Sequence, residues 1–350
     1  MAHGGNVWQG QGPGEWLDFS ANIRPEGPPA WVCAALRDGA RDAAYYPDLH
    51  MRREKEALAR CLGVKTEMTC PTAGGIAALE LAARLDTTGA LILTPCFSEY
   101  AAFAIHQGHK TRTVSLLYAK HAVRDLACVR EALFAGCTVW LCNPLNPVGV
   151  AFPREQVLQL LADVECVGGW LVVDEAFIEY CPEHSVVTEV AGHERLLVAG
   201  SMTKILGIPG VRLGYLCAQP RVLDGLAPYQ RPWELNCFAA AVLRALPEHL
   251  PERAADAVRN AQRREMLRNG LEQLGAFAYP SEAAFVLADF ARPVHPLAEA
   301  MRVRGILVRE CMDFAGIDDG CHLRLAVKEE AAQKKLLAAM QEVIVCGENP

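Results

Sequence analysis

The sequence places a lysine where a charge is costly. The apolar run Leu196-Leu197-Val198-Ala199 reads as a buried strand and ends in the small-residue turn Gly200-Ser201. Thr203 and Lys204 follow at once, and Arg212 lies eight residues later. An amine held out of water loses its proton more easily and can attack a carbonyl. A lysine snorkelling from a loop would instead keep its ordinary charge. A second apolar run, Leu171-Val172-Val173, ends in Asp174. A carboxylate there needs a helix N-terminus, a lone ion pair or a cationic ligand to meet it. A third run, Val139-Trp140-Leu141-Cys142, leads into Asn143-Pro144-Leu145-Asn146-Pro147-Val148-Gly149. Amide, acid and amine thus fall at successive strand ends about thirty residues apart, one strand–helix–strand step each.

Two further features suit a phosphate. Ser201 and Arg212 offer a hydroxyl and a guanidinium fork. Thr72-Ala73-Gly74-Gly75-Ile76 opens a helix, whose free amides and dipole attract an anion. Phe97, after Leu93-Thr94-Pro95, could stack on a ring or simply pack in the core. Ligands of open α/β sheets bind outside the carboxyl ends of the strands. A group that would use this whole set is pyridoxal phosphate. Asp174 would hold its protonated ring nitrogen, keeping the ring an electron sink, and Lys204 would bond its aldehyde carbon.

These side chains need a scaffold that lines up strand ends. The apolar strands at 90–93, 111–117, 138–142, 170–173, 196–199 and 213–217 alternate with helical patterns at 74–84, 97–107, 124–134 and 154–166. That alternation predicts a mostly parallel sheet covered on both faces, an α/β fold. Shorter helices are expected at 29–41 and 52–62. After about residue 230 the texture changes. Helical patterns at 236–246, 252–274, 296–304 and 329–343 surround strands at 284–288, 306–308 and 323–327, a smaller α+β lobe. The expected division is an arm over 1–40 belonging to the small lobe, a large domain over 41–235 and a small C-terminal domain over 236–350.

Composition narrows the class. Half the residues are hydrophobic and the chain is 350 residues long, which suits a two-lobed globular enzyme. The net charge of −7 is spread without a basic stripe, so nucleic acid is not an expected partner. No secretory signal opens the sequence and no apolar run reaches bilayer length, so neither export nor membrane insertion is expected. The 14 cysteines sit singly in apolar stretches and read as buried thiols of a reducing cytoplasm. Cys311, Asp313, Cys321 and His322 fit no common metal spacing, so no metal is expected.

Taken together, Asn146-Pro-x-Gly, Asp174-Glu-Ala-Phe177, Ser201-x-x-Lys204 and Gly210-Val-Arg212-Leu-Gly-Tyr resemble the fold-type I pyridoxal-phosphate enzymes of the aspartate aminotransferase superfamily. Tyr45-Tyr46-Pro47-Asp48 is shared by two of its groups, the histidinol-phosphate aminotransferases and the threonine-phosphate decarboxylases of cobalamin biosynthesis. His3-Gly4-Gly5-Asn6, Asp18-Phe-Ser-Ala-Asn22 and Arg309-x-Cys311 with Phe314-x-Gly316 and Leu-Arg324 resemble the decarboxylases. So does Phe177, where most of the aminotransferases carry a tyrosine that touches the cofactor.

The resemblance implies a mostly parallel seven-stranded sheet in the large domain, and cofactor contacts at Gly74, Gly75, Ile76, Phe97, Asn146, Asp174, Phe177, Ser201, Thr203, Lys204 and Arg212. It also implies that Tyr46 reaches the cofactor phosphate of the other subunit in a homodimer. Substrate contacts are implied at His3, Gly4, Asn22, Asn146, Arg309 and Arg324. The implied reaction is decarboxylation of an O-phosphorylated amino acid: phosphothreonine to aminopropanol phosphate, or phosphoserine to ethanolamine phosphate, for the nucleotide-loop linker of cobamides. A histidinol-phosphate-type aminotransferase is the alternative. A non-catalytic cofactor-binding regulator would usually add a helix-turn-helix, and residues 1–40 show none. The chain departs from the pattern at Leu145 and Val148, at Arg24, and at Gly74-Gly75-Ile76, where hydroxyl or acidic side chains are usual.

Overall fold

In the computed structural model, which describes residues 4–8, 12–118 and 121–347, the alternation closes into a seven-stranded sheet. Its spatial order is Thr69–Thr72, Gly214–Cys217, Leu196–Ser201, Trp170–Asp174, Cys137–Cys142, Gly89–Thr94, Thr111–Ser115. Every pairing is parallel except the two made by Gly214–Cys217. The strands Gly89–Thr94, Cys137–Cys142 and Leu196–Ser201 are buried along their whole length, as strands covered on both faces should be. Strand and helix 52–62 and 154–166 positions fall where the apolar periodicity puts them.

Four local expectations change. Thr69–Thr72, short and half polar, is an additional strand that completes the seven. The stretch expected as a helix over 124–134 is a 3₁₀ segment, Leu126–Ala132, capped by the Asp125 side chain. The strand over 111–117 ends at Ser115, and a small hairpin, Leu117–Tyr118 with Ala122–Val123, follows it. Helix Cys237–Ala245 packs on helix Ala30–Gly39, and both contribute to the larger core. The smaller core gathers residues from Leu267 onward together with Phe19, so residues 30–39 and 237–245 pack with the large lobe although the boundaries at 40 and 236 would assign them to the small one.

The antiparallel strand brings two loops into contact. Gly214 pairs with Thr72 on one side and Ser201 on the other. A Cβ on it would lie 2.4 Å from both Gly74 C and Gly75 N, so only glycine lets the helix Gly75–Ala82 begin beside Ser201.

The small lobe is an antiparallel sheet in the order Phe277–Ala278, Phe285–Asp289, His322–Ala326, Arg309–Glu310. Arg309 and Arg324 are directly opposed across it. The N-terminal segment threads the lobe: Leu17–Asp18 pairs with Ile306–Leu307, and the Phe19 carbonyl accepts from Ala326 N at 2.8 Å. Phe19 is fully buried in the small core, which fixes Ser20–Asn22 at the junction of the lobes. Among the described residues no helix is long and apolar enough to cross a membrane.

Candidate active site

The strand ends, the N-terminal segment and the small sheet converge on one cavity of about 340 Å³. Lys204 and Asp174 both line it, the first from the turn after Leu196–Ser201, the second as the last residue of the adjacent strand. The Lys204 carbonyl accepts from Arg24 N at 3.0 Å, tying the N-terminal segment to the lysine turn. Burial, reinforced by the charges of Arg324 and Arg212, brings the Lys204 amine down to about 8, with Asp174 opposing the shift. The lysine is therefore a usable nucleophile and base near neutrality.

Asp174 is held from both sides. Ala176 N donates to Oδ1 at 3.0 Å and the Tyr100 hydroxyl donates to Oδ2 at 2.6 Å. Burial pushes the carboxyl upward, while the Tyr100 and Ala176 bonds and the Lys204 charge pull it back. Tyr100 is fully buried, stacks on Trp140 at 5.5 Å and meets Phe97 edge-on at 6.0 Å. Sequence reasoning passed over Tyr100. The available signal was its position three residues after Phe97 at the start of the helix Glu99–His106, a spacing that brings the two onto one face.

The phosphate donors also assemble. Ser201 Oγ and Thr203 Oγ1 share a hydrogen bond of 2.8 Å, and both line the cavity with Gly75, Ile76 and Arg212. Gly74 does not line it but shapes it. With φ of 86°, its missing Cβ leaves room for the Arg212 guanidinium, which would otherwise sit 2.7 Å from it. Hydroxyls, one fork and the amides opening Gly75–Ala82 form a cradle for a phosphate. With Asp174 below and Phe97 at the wall, the residues present fit pyridoxal phosphate.

The far side of the cavity belongs to Gly4, Asn22, Asn146, Phe177, Arg309 and Arg324. Gly5 N donates to Ser20 Oγ at 2.8 Å, and a Cβ on Gly4 would lie 2.1 Å from the Ser20 carbonyl, so the arm docks closely. Arg324 donates to Asn146 Oδ1 at 2.8 Å and to the Ser20 carbonyl at 3.1 Å, while its Nε has no partner. Burial, aided by Arg309, brings Arg324 down to about 10. Asn22 Oδ1 is likewise buried and unpartnered. Both residues line the cavity, so hydrogen-bonding capacity is left unsatisfied in its wall. Phe177 meets Phe285 edge-on at 5.1 Å and presents no hydroxyl.

Three residues singled out in the sequence are not among the described lining of this cavity. Tyr46 is 80% exposed and stacks on Trp233 at 4.6 Å, outside its own chain's cavity. His3 lies outside the described residues. Arg24, noted as a departure, turns away from the cavity and pairs with Asp256 through Nε at 3.0 Å and Nη2 at 3.2 Å. The departures Leu145 and Val148 are fully buried core residues.

Comparison with known proteins agrees with this geometry. The family model "aminotransferase class I and II" matches residues 14–340. The chain is 30% identical to a threonine-phosphate decarboxylase of Salmonella typhimurium, over 98% of this chain and 96% of that one. It is 28% identical to an adenosylcobalamin biosynthesis bifunctional protein of Leptospira interrogans, over 97% of this chain and 41% of that protein. A histidinol-phosphate aminotransferase structure from Clostridium acetobutylicum superposes with a TM-score of 0.86 at 25% identity, covering 94% of this chain and 99% of that one.

Proposed function

Since the chain belongs to the class I and II aminotransferase family, we propose that it is a pyridoxal-phosphate-dependent decarboxylase of an O-phosphorylated amino acid, acting in cobalamin biosynthesis. The first-choice reaction converts L-threonine O-3-phosphate to aminopropanol phosphate and CO₂. L-serine O-phosphate is the close alternative, since one methyl group changes binding by only ~1–3 kcal/mol. The observation that carries the reading is the meeting of Lys204 and Asp174 with two opposed arginines, Arg309 and Arg324, in one cavity. The relative that shares most of its length supports the substrate class.

Bound pyridoxal phosphate supplies an electron sink for the bond broken at the substrate Cα. Ser201, Thr203, Arg212 and the amides after Gly74 would hold its phosphate, and Asp174 would face its ring nitrogen. Tyr100 keeps the Asp174 carboxylate oriented by donating to Oδ2. Lys204, with its amine near 8, carries the nucleophilic nitrogen and can return a proton to Cα after CO₂ has left. Arg309 and Arg324 receive the substrate's two anionic groups, and Gly4 and Asn22 close the pocket over them. This clamp would decide which bond at the substrate Cα is presented for cleavage, which is a positioning effect.

A homodimer fits the exposed stack of Tyr46 on Trp233, with Tyr46 completing the partner's phosphate cradle. A cytoplasmic setting is supported by the cysteines, seven of which are buried in the interior. The test of function is incubation with phosphothreonine, phosphoserine and histidinol phosphate. CO₂ release without 2-oxoglutarate consumption is expected from the first two. Amino transfer from histidinol phosphate to 2-oxoglutarate, with no CO₂, would instead establish the aminotransferase.

A further inference from the structure

Arg309 and Arg324 face each other across the small sheet, yet their surroundings differ. Like charges directly opposed across a sheet repel. Among the described residues Arg324 donates hydrogen bonds to neutral acceptors, the Asn146 side-chain oxygen and the Ser20 carbonyl. Arg309 is already answered by an acid. Its Nη2 donates to both carboxylate oxygens of Asp313 at 2.6 Å each, its Nη1 donates to the Glu310 carbonyl, and its guanidinium lies over the Phe314 ring at 5.2 Å. Asp313 lines the cavity too. Its side chain is 30% exposed against 9% for the arginine, so the acid is the solvent-facing member of the pair.

We propose that Asp313 is a built-in competitor for the substrate's anionic group at Arg309, and so a specificity-determining residue of this site. The proposal rests on the reading above that a phosphorylated amino acid enters the cavity. A buried guanidinium needs a counter-charge. Asp313 provides it before the substrate arrives, and a phosphate provides it afterwards. Nη2 cannot bond both carboxylate oxygens of Asp313 and an incoming phosphate with full geometry. The incoming anion must therefore displace a like charge, which can swing into solvent because it lies at the exposed side. A dianion that fills the fork recovers the lost contact, whereas a weakly charged or smaller anion does not. An anion directed at Arg324 displaces no hydrogen-bonded carboxylate among the described residues. The device thus grades ligands by charge mainly at Arg309.

The test is isothermal titration of the cofactor-loaded protein with inorganic phosphate, comparing wild type, Asp313→Asn, Arg309→Gln and the double variant. The amide keeps the size of the side chain and removes its charge. Asp313→Asn is expected to bind phosphate about 5-fold more tightly, in proportion to the loss of a partly exposed ion pair. Arg309→Gln should bind it more weakly than wild type, and adding Asp313→Asn to that variant should bring no tightening. The KM for O-phospho-L-threonine should fall in Asp313→Asn by the same factor. Unchanged or weaker phosphate binding by a folded Asp313→Asn protein overturns the proposal, because the carboxylate would then orient the arginine or do nothing. Phosphate titration needs no turnover, so a wild-type protein that fails to release CO₂ would overturn the functional reading without touching this result.

Discussion

At one end of the cavity Asp174, Ser201 and Lys204 come from two adjacent parallel strands and the turn that follows, while at the other Asn22, Arg309 and Arg324 come from an N-terminal segment and two antiparallel strands of another lobe. The first end is fixed by backbone pairing along strands buried over all but the first residue of one of them. The second depends on the docking of separate pieces: Phe19 in the small core, Ser20 under Gly5, and Asn146 reaching across to Arg324. The proposed cofactor chemistry is thus mounted on paired strands of the central sheet. The proposed substrate contacts are mounted where segments can be exchanged without disturbing that chemistry.

If the two ends are separable, their variants should fail in different ways. Arg324→Gln removes a buried cation that both anionic substrate groups can sense. We expect kcat/KM for phosphothreonine to drop about 10³-fold, with the bound-cofactor absorbance retained, as measured by steady-state kinetics alongside a spectrum. Tyr100→Phe should do the reverse. It strips the Oδ2 donor from Asp174 at a cost of ~1–3 kcal/mol, so the cofactor dissociation constant should rise about 10-fold while phosphothreonine KM stays near wild type, as measured by equilibrium dialysis. A variant that damages both ends equally would break the comparison.

The smallest expected effect links the ends. Only the neutral Lys204 amine can capture the cofactor aldehyde, so in apoprotein the capture rate should rise with pH up to about 8 and level above it. Arg324 helps hold that value down. Removing its positive charge favours the protonated amine, so Arg324→Gln should move the midpoint to higher pH, as read by stopped-flow absorbance.

Legibility in the sequence follows the same division. The strand ends at Asp174 and Ser201 were readable because a charged or polar residue closing an apolar run is a local signal. Thr69–Thr72 was not, because Thr-Cys-Pro-Thr carries neither a run nor an alternation, and its pairing with Gly214–Cys217 is set by tertiary contact. The 3₁₀ segment Leu126–Ala132 has helical composition, but the Asp125 cap and the turn after Ala132 leave it too short to continue. Tyr100 carries no linear sign of its role, since its bond to Asp174 joins residues 74 apart. Arg309 and Arg324 could be singled out only by resemblance, because nothing in a linear pattern says that two strands will oppose them. Asp313 sat four residues from Arg309 and was weighed only as part of a rejected metal cluster.

The account turns on one amine facing one buried acid across the cofactor pocket. Borohydride reduction of the cofactor-loaded protein followed by peptide mapping tests this directly. The account expects the cofactor mass on the peptide that contains Lys204, and its absence in Lys204→Ala. Label on any other lysine, or none on the wild-type protein, would contradict it.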